Sequence, residues 1–308
     1  MVSKCLAAGL VCLAVSARVC VADEVAGDER DGAAVWLIDY SQAMKQAKSE
    51  KKLMLVHFYR ASDQKRREAA EAIDSVVNIE EAFDHLAARH KLDDFVLTKL
   101  PLDATTTIDG KSLRILDHGA FSELQKGPGI AVIDLAHEGT EYWGYTVSVL
   151  PFTPGTYYRF RTSHLETLVH LPPGTLTQRS MILAVRIHPE HPASTNGEED
   201  PILLSEAAVH SNYQAQIRAL GHHGWGERFQ RIIGKLFGRG TPGAPVEVVA
   251  ESWPNEGLMD SCVDCVASWR QSSGHWSAVN AKQASYGYDI REGDNHIWYA
   301  TGILRPKE

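Results

Sequence analysis

Trp269-Arg270-Gln271-Ser272-Ser273-Gly274-His275-Trp276 closes a stretch in which Cys262, Cys265, Val266 and Trp269 recur at three- and four-residue intervals or close multiples of them. That spacing puts four apolar side chains on one face of a helix, and Asp260 with Ser261 supplies a cap at its start. A helix is expected over 260–271, with Ser272-Ser273-Gly274-His275 as its exit. Downstream, 286–290 and 296–304 are β-rich runs split by a Gly/Asp/Asn turn, the pattern of an antiparallel hairpin. Upstream, 246–250 reads as a strand with Glu251 at its end, preceded by a Gly/Pro loop over 238–245 and a basic helical stretch. A helix before that carries Leu203, Ala207, His210, Tyr213, Ile217 and Leu220 on one face and ends at His222-His223-Gly224-Trp225. Thr175 opens a further helix through Ile182 and Val185, which His188-Pro189 stops.

The N-terminal half alternates helix and strand. Tyr40, Ala43, Met44 and Ala47 mark an amphipathic helix within 39–52, followed by an apolar strand over 53–59. Helices are expected over 63–72 and 79–90, and a strand over 95–102. A hairpin follows from 130–135 and 142–149, then a helix over 156–170. Leu171-Pro172-Pro173-Gly174 breaks regular structure. At 308 residues and 34.0 kDa the chain exceeds the usual single-domain size, so two domains are expected, over 33–172 and 173–308. The fold class is α/β.

Residues 1–22 hold Lys4, an apolar run from Cys5 to Val15, and Cys20-Val21-Ala22 before Asp23, the layout of a secretory signal peptide. The run is short for a membrane span, so the mature product is expected to be secreted or periplasmic, without a transmembrane helix. Because the segment carries Lys4 and Arg18 and no acid, its removal takes the formal charge from -8 to -10. So acidic a chain with no long basic block does not suit nucleic acid. Of five cysteines only Cys262 and Cys265 would remain, which excludes a disulfide-dense scaffold. Their spacing matches a redox dithiol, but their helical register points them at a core; a disulfide between them stays open.

Three side chains sit where elements end: one of His222 and His223, Glu251, and His275. Two imidazoles and a carboxylate make the three-ligand set of an open zinc site; the structural alternative makes the histidines hydrogen-bonded residues beside Trp225 and Trp276, and Glu251 a partner of Arg270. Ser272 and Ser273 lie in no nucleophile elbow. Gly238-Arg239-Gly240-Thr241-Pro242-Gly243 follows no strand and its prolines prevent the helix that a dinucleotide site requires. His188-Pro189-Glu190-His191 lies in an unsupported loop. Trp225, Trp253, Trp269, Trp276 and Trp298 are expected mostly in cores.

Trp36-x-x-Asp39-Tyr40-x-x-Ala43-x-x-x-Ala47-Lys48, followed by Lys52-Leu53-Met54-Leu55-Val56-His57-Phe58, resembles the opening of thioredoxin-like domains of exported bacterial proteins, and Pro128 resembles their cis-proline. The strand-to-helix junction, Phe58-Tyr59-Arg60-Ala61-Ser62-Asp63-Gln64-Lys65, has no sulfur. The resemblance therefore implies a thioredoxin-like fold without redox cysteines, kept for binding or support.

The C-terminal half resembles the CAP (SCP-like) superfamily in a diverged bacterial form. The resemblance rests on Gly221-His222-His223, Ala250-Glu251-Ser252, the Trp269 to Trp276 segment, Tyr286-Gly287-Tyr288 and Trp298-Tyr299-Ala300. It implies an α-β-α sandwich with a His/Glu cleft. By position the cleft takes His222, with His223 as the alternative, Glu251 and His275, and it can hold a divalent metal such as Zn on His222, Glu251 and His275. The family's asparagine after the first glutamate is Ser252 here, and no acid stands between Val266 and His275, where its second glutamate belongs. The expected role is binding of a small ligand, lipid or envelope protein; the enzyme alternative is a zinc-dependent, peptidase-like hydrolase.

Overall fold

The computed structural model describes residues 33–60, 79–108, 110–152, 155, 157–236 and 243–307. Residues 1–22, expected to be a signal peptide, the expected helix over 63–72 and most of the loop 238–245 lie outside them.

The apolar strand of the N-terminal half forms as its sequence requires. Leu53–Tyr59 (β2) is central in a five-stranded mixed sheet with Trp36–Leu37 (β1), Phe95–Pro101 (β3), Gly129–Ile133 (β6) and Thr146–Pro151 (β7), in the order β1-β3-β2-β6-β7. β2 and β3 are parallel, whereas β6 runs antiparallel to β2 and β7 to β6. Strand alternation divides β2 between two cores. Met54, Val56 and Phe58 meet Ala43 and Ala47 of the helix Tyr40–Glu50 (α1), whose N-cap Asp39 accepts the Gln42 amide at 2.7 Å. Leu55 faces Ile79, Phe83 and Leu86 of Ile79–Ala88 (α2). A hairpin of Thr105–Ile108 (β4) and Lys111–Arg114 (β5), not expected from the sequence, stands apart from the sheet. The helix expected over 156–170 is confined to Ser163–Val169 (α3), and the peptide before Pro128 is trans.

The junction at 172/173 lies just ahead of Leu176–Arg186 (α4), where Thr175 and Gln178 form a capping box. Met181, Ile182 and Val185 of α4 join the core that begins at Leu55 and runs on to Cys262, Cys265, Val266 and Trp269. Both halves fall within one compact unit, Gly32–Glu308.

The second sheet takes the order β8-β10-β11-β9, from Glu198–Glu199 (β8), Gln283–Glu292 (β10), Trp298–Pro306 (β11) and Val246–Glu251 (β9). Pro201–Ile217 (α5) and Trp225–Leu236 (α6) cover one face, meeting at Leu203, Ala207, Ile232 and Leu236 over Ile303. α4 and Leu258–Gln271 (α7) cover the other. The chain is therefore α/β with helices on both faces of this sheet.

Two local expectations are corrected. The stripe on α5 drifts: Leu203, Ala207 and His210 are buried, but Tyr213, Ile217 and Leu220 are exposed. A strict seven-residue repeat rotates away from a straight contact line on a 3.6-residue helix. Ser211 and Gln214 replace them against the sheet by donating to the Asp289 carbonyl at 3.0 Å and to Thr301 Oγ1 at 3.1 Å. Residues 272–275 are not a loop exit either: only Ser272 is extended, and residues 273–275 are helical again. α7 starts after Gly257, and a second helix, Ser273–Asn280 (α8), follows at once and packs beside the edge strand β9. Among the tryptophans, Trp253 is exposed while Trp269, Trp276 and Trp298 are buried.

Candidate functional site

β9 places a carboxylate where strand alternation turns it inward, toward the layer of α5 and α6. Glu247 is buried there, one residue before the core residue Val248. Its Oε2 accepts a hydrogen bond from Arg228 Nε at 2.7 Å and lies 2.5 Å from Nη2 of the same guanidinium, an ion pair that fixes both partners. Its Oε1 accepts from His222 Nδ1 at 2.9 Å. A carboxylate paired with a guanidinium offers only acceptors, so Nδ1 of His222 carries the proton and Nε2 is the nitrogen left for a ligand.

His222 stands on the turn between α5 and α6, and α8 brings His275 against it, with ring centroids 5.7 Å apart. The His275 imidazole is held below its ordinary pKa, first by burial and then by the neighbouring His222. His210, from α5, completes the buried side. Its Nε2 donates to the Gly221 carbonyl at 2.9 Å and lies 3.8 Å from Glu247 Oε1. Burial, reinforced by the Arg228 charge, pushes its pKa down to about 4. His223 turns away, with its ring beside Tyr213 and His210 at 6.0 and 6.4 Å.

The structure thus brings together His222 and His275 but not Glu251. Glu251 lies on the same strand four residues beyond Glu247, about 13 Å along the backbone at the usual rise. It is exposed, opposite Tyr299 of β11, and makes no hydrogen bond or ion pair with either histidine among the described residues. Glu247, Arg228 and His210 were missed as site residues. The signal for Glu247 was present as a charged residue inside an otherwise apolar strand, in phase with Glu251 at period two.

The three-ligand zinc centre expected on His222, Glu251 and His275 does not fit this arrangement. The carboxylate beside the histidines is already engaged by Arg228, and no three His, Cys, Asp or Glu side chains among the described residues are placed to hold an ion together. Cys262 and Cys265 are free, fully buried thiols whose pKa values burial raises well above the ordinary range. Among the described residues no helix is long and apolar enough to cross a membrane.

No protein-family profile and no curated protein matches the chain. Among solved structures, it is similar to an outer surface protein from Borrelia burgdorferi, at 17% identity over 36% of this chain and 78% of that one, with a TM-score of 0.29.

Proposed function

We propose that this is an exported, non-catalytic binding protein whose C-terminal cleft, of CAP type, captures a ligand through the His222–His275 imidazole pair. One observation carries the reading: a buried carboxylate, locked by Arg228, holds His222 by Nδ1 and presents its ring beside His275. Orienting an imidazole through its second nitrogen is how proteins prepare it to bind. Export is supported by the sequence of residues 1–22. The sheet order β1-β3-β2-β6-β7, with β6 antiparallel to β2 and β7 antiparallel to β6, supports a thioredoxin-like N-terminal module, which without a dithiol serves binding or support.

Zinc alone is a direct probe of the imidazole pair. With two protein ligands, calorimetric titration of the full chain should give a Kd of roughly 10–100 μM, equivalent to about 5–7 kcal/mol, and His222→Ala or His275→Ala should abolish it. Glu251→Gln should leave it unchanged. A folded protein that takes up no zinc, or takes it up equally in both alanine variants, would overturn the assignment.

A further inference from the structure

A second site lies away from the histidines, along the open side of β10. β8 pairs with β10 only at Ser285 and Tyr286, so beyond Tyr286 no strand flanks that edge among the described residues. α5 runs along the same strand. Leu203 and Leu204 sit over Gly287, Ser211 bonds the Asp289 carbonyl, and the Ala215 carbonyl approaches Gly293. The outer stripe of α5 and the N-terminal end of α4 wall a groove with a cavity volume of about 650 Å³, within the range that holds a ligand.

Its two ends carry opposite charge. At one end stand Glu199, Glu141 and Tyr142, and at the other Arg291 with Asn212. Glu199 pairs with Tyr286 in the sheet, and Arg291 lies five residues further along β10, about 16 Å at the strand rise. The α5 wall from Pro201 to Asn212 gives the same length, about 16 Å at the helical rise. Between the ends the lining mixes small apolar side chains, Pro201, Leu204, Ala208 and Val209, with the polar Ser205 and Gln178.

The end groups are short of partners. Glu199 Oε1 is buried with no hydrogen bond among the described residues. Burial pushes this carboxyl up to about 7 against the pull of Arg179 and Arg186. Arg291 Nε is held by Asp289 at 2.8 Å, while its side chain remains 38% exposed and its Nη groups make no other hydrogen bond among the described residues. An extended chain of five residues spans about 16 Å, the distance between these ends. We propose that this groove binds short unblocked peptides, with the terminal ammonium at Glu199 and Glu141, the terminal carboxylate at Arg291, and small apolar side chains along α5.

The test is calorimetric titration of the full chain with penta-alanine carrying free termini, beside its N-acetylated and C-amidated forms. Acetylation of the peptide, or Glu199→Gln in the protein, should weaken binding at least tenfold. Amidation, or Arg291→Gln, should weaken it at least fivefold, and His275→Ala should leave it unchanged, which separates this site from the imidazole cleft. If Glu199→Gln does not fold, as judged by circular dichroism, the acetylated peptide against the unaltered protein decides the same point. The proposal is overturned if the free peptide does not bind the folded protein, or if the doubly blocked peptide binds as well.

Discussion

Glu247 Oε1 accepts a hydrogen bond from His222 Nδ1 at 2.9 Å, joining a buried strand carboxylate to a histidine on an exposed turn. Because Arg228 holds the other carboxylate oxygen, one residue of β9 sets both the packing of α6 and the orientation of the imidazole.

Glu247 and Glu251 are therefore expected to differ sharply although they share a strand face. Glu247→Ala leaves the Arg228 guanidinium buried without its counter-charge and should cost about 3 kcal/mol. Glu251→Ala, at an exposed position, should stay within about 0.5 kcal/mol. Urea unfolding of both variants checks this, and equal losses would show that the buried pair does not hold α6 to the sheet.

The protein should lose stability on the acid side partly through His210. Its folded pKa is about 4 against an ordinary 6.5, so between those values the unfolded chain binds a proton that the folded one refuses. The contribution is complete above pH 6.5 and declines as pH falls toward 4. Glu199, raised to about 7, works in the opposite direction, losing stability as pH rises from about 4.5 to 7. His210→Gln should flatten the acid-side decline by roughly 1–2 kcal/mol, read from unfolding midpoints at pH 4.5, 5.5 and 7; an unchanged slope would remove His210 from the account.

Gly287 allows α5 to lie directly on β10. A Cβ at that position would meet the Leu204 backbone nitrogen at 2.2 Å and the Leu203 carbonyl carbon at 2.4 Å. Since backbone cannot rotate aside as a side chain does, Gly287→Ala should destabilise by about 3 kcal/mol and narrow the groove beside it. Thermal unfolding gives the first effect, and a wild-type melting temperature would contradict it.

Cys262 and Cys265 should behave as core residues. In a chain with Cys5, Cys12 and Cys20 changed to serine, an aromatic disulfide reagent should label neither thiol under native conditions and both in denaturant. Burial keeps each thiol protonated, and only the thiolate reacts. Rapid native labelling would mean that α7 opens readily.

Local spacing and composition were enough wherever they admit one answer. The apolar run Leu53–Tyr59 is a strand, Thr175 opens the helix that follows it, and the cysteines of α7 face the core, because the period of the pattern settles which side is buried. The same reading marked His275 with one of His222 and His223, and the structure sets His222 against His275. Their carboxylate partner, by contrast, came from packing. Glu247 and Glu251 are equivalent in a one-dimensional pattern, and only the placement of α6, which sets Arg228 and the His222 turn over the first and leaves the second exposed, distinguishes them. The groove beside β10 was likewise invisible, since its walls come from segments that are distant in sequence, and its two charged ends face one opening only because α5 runs along the strand.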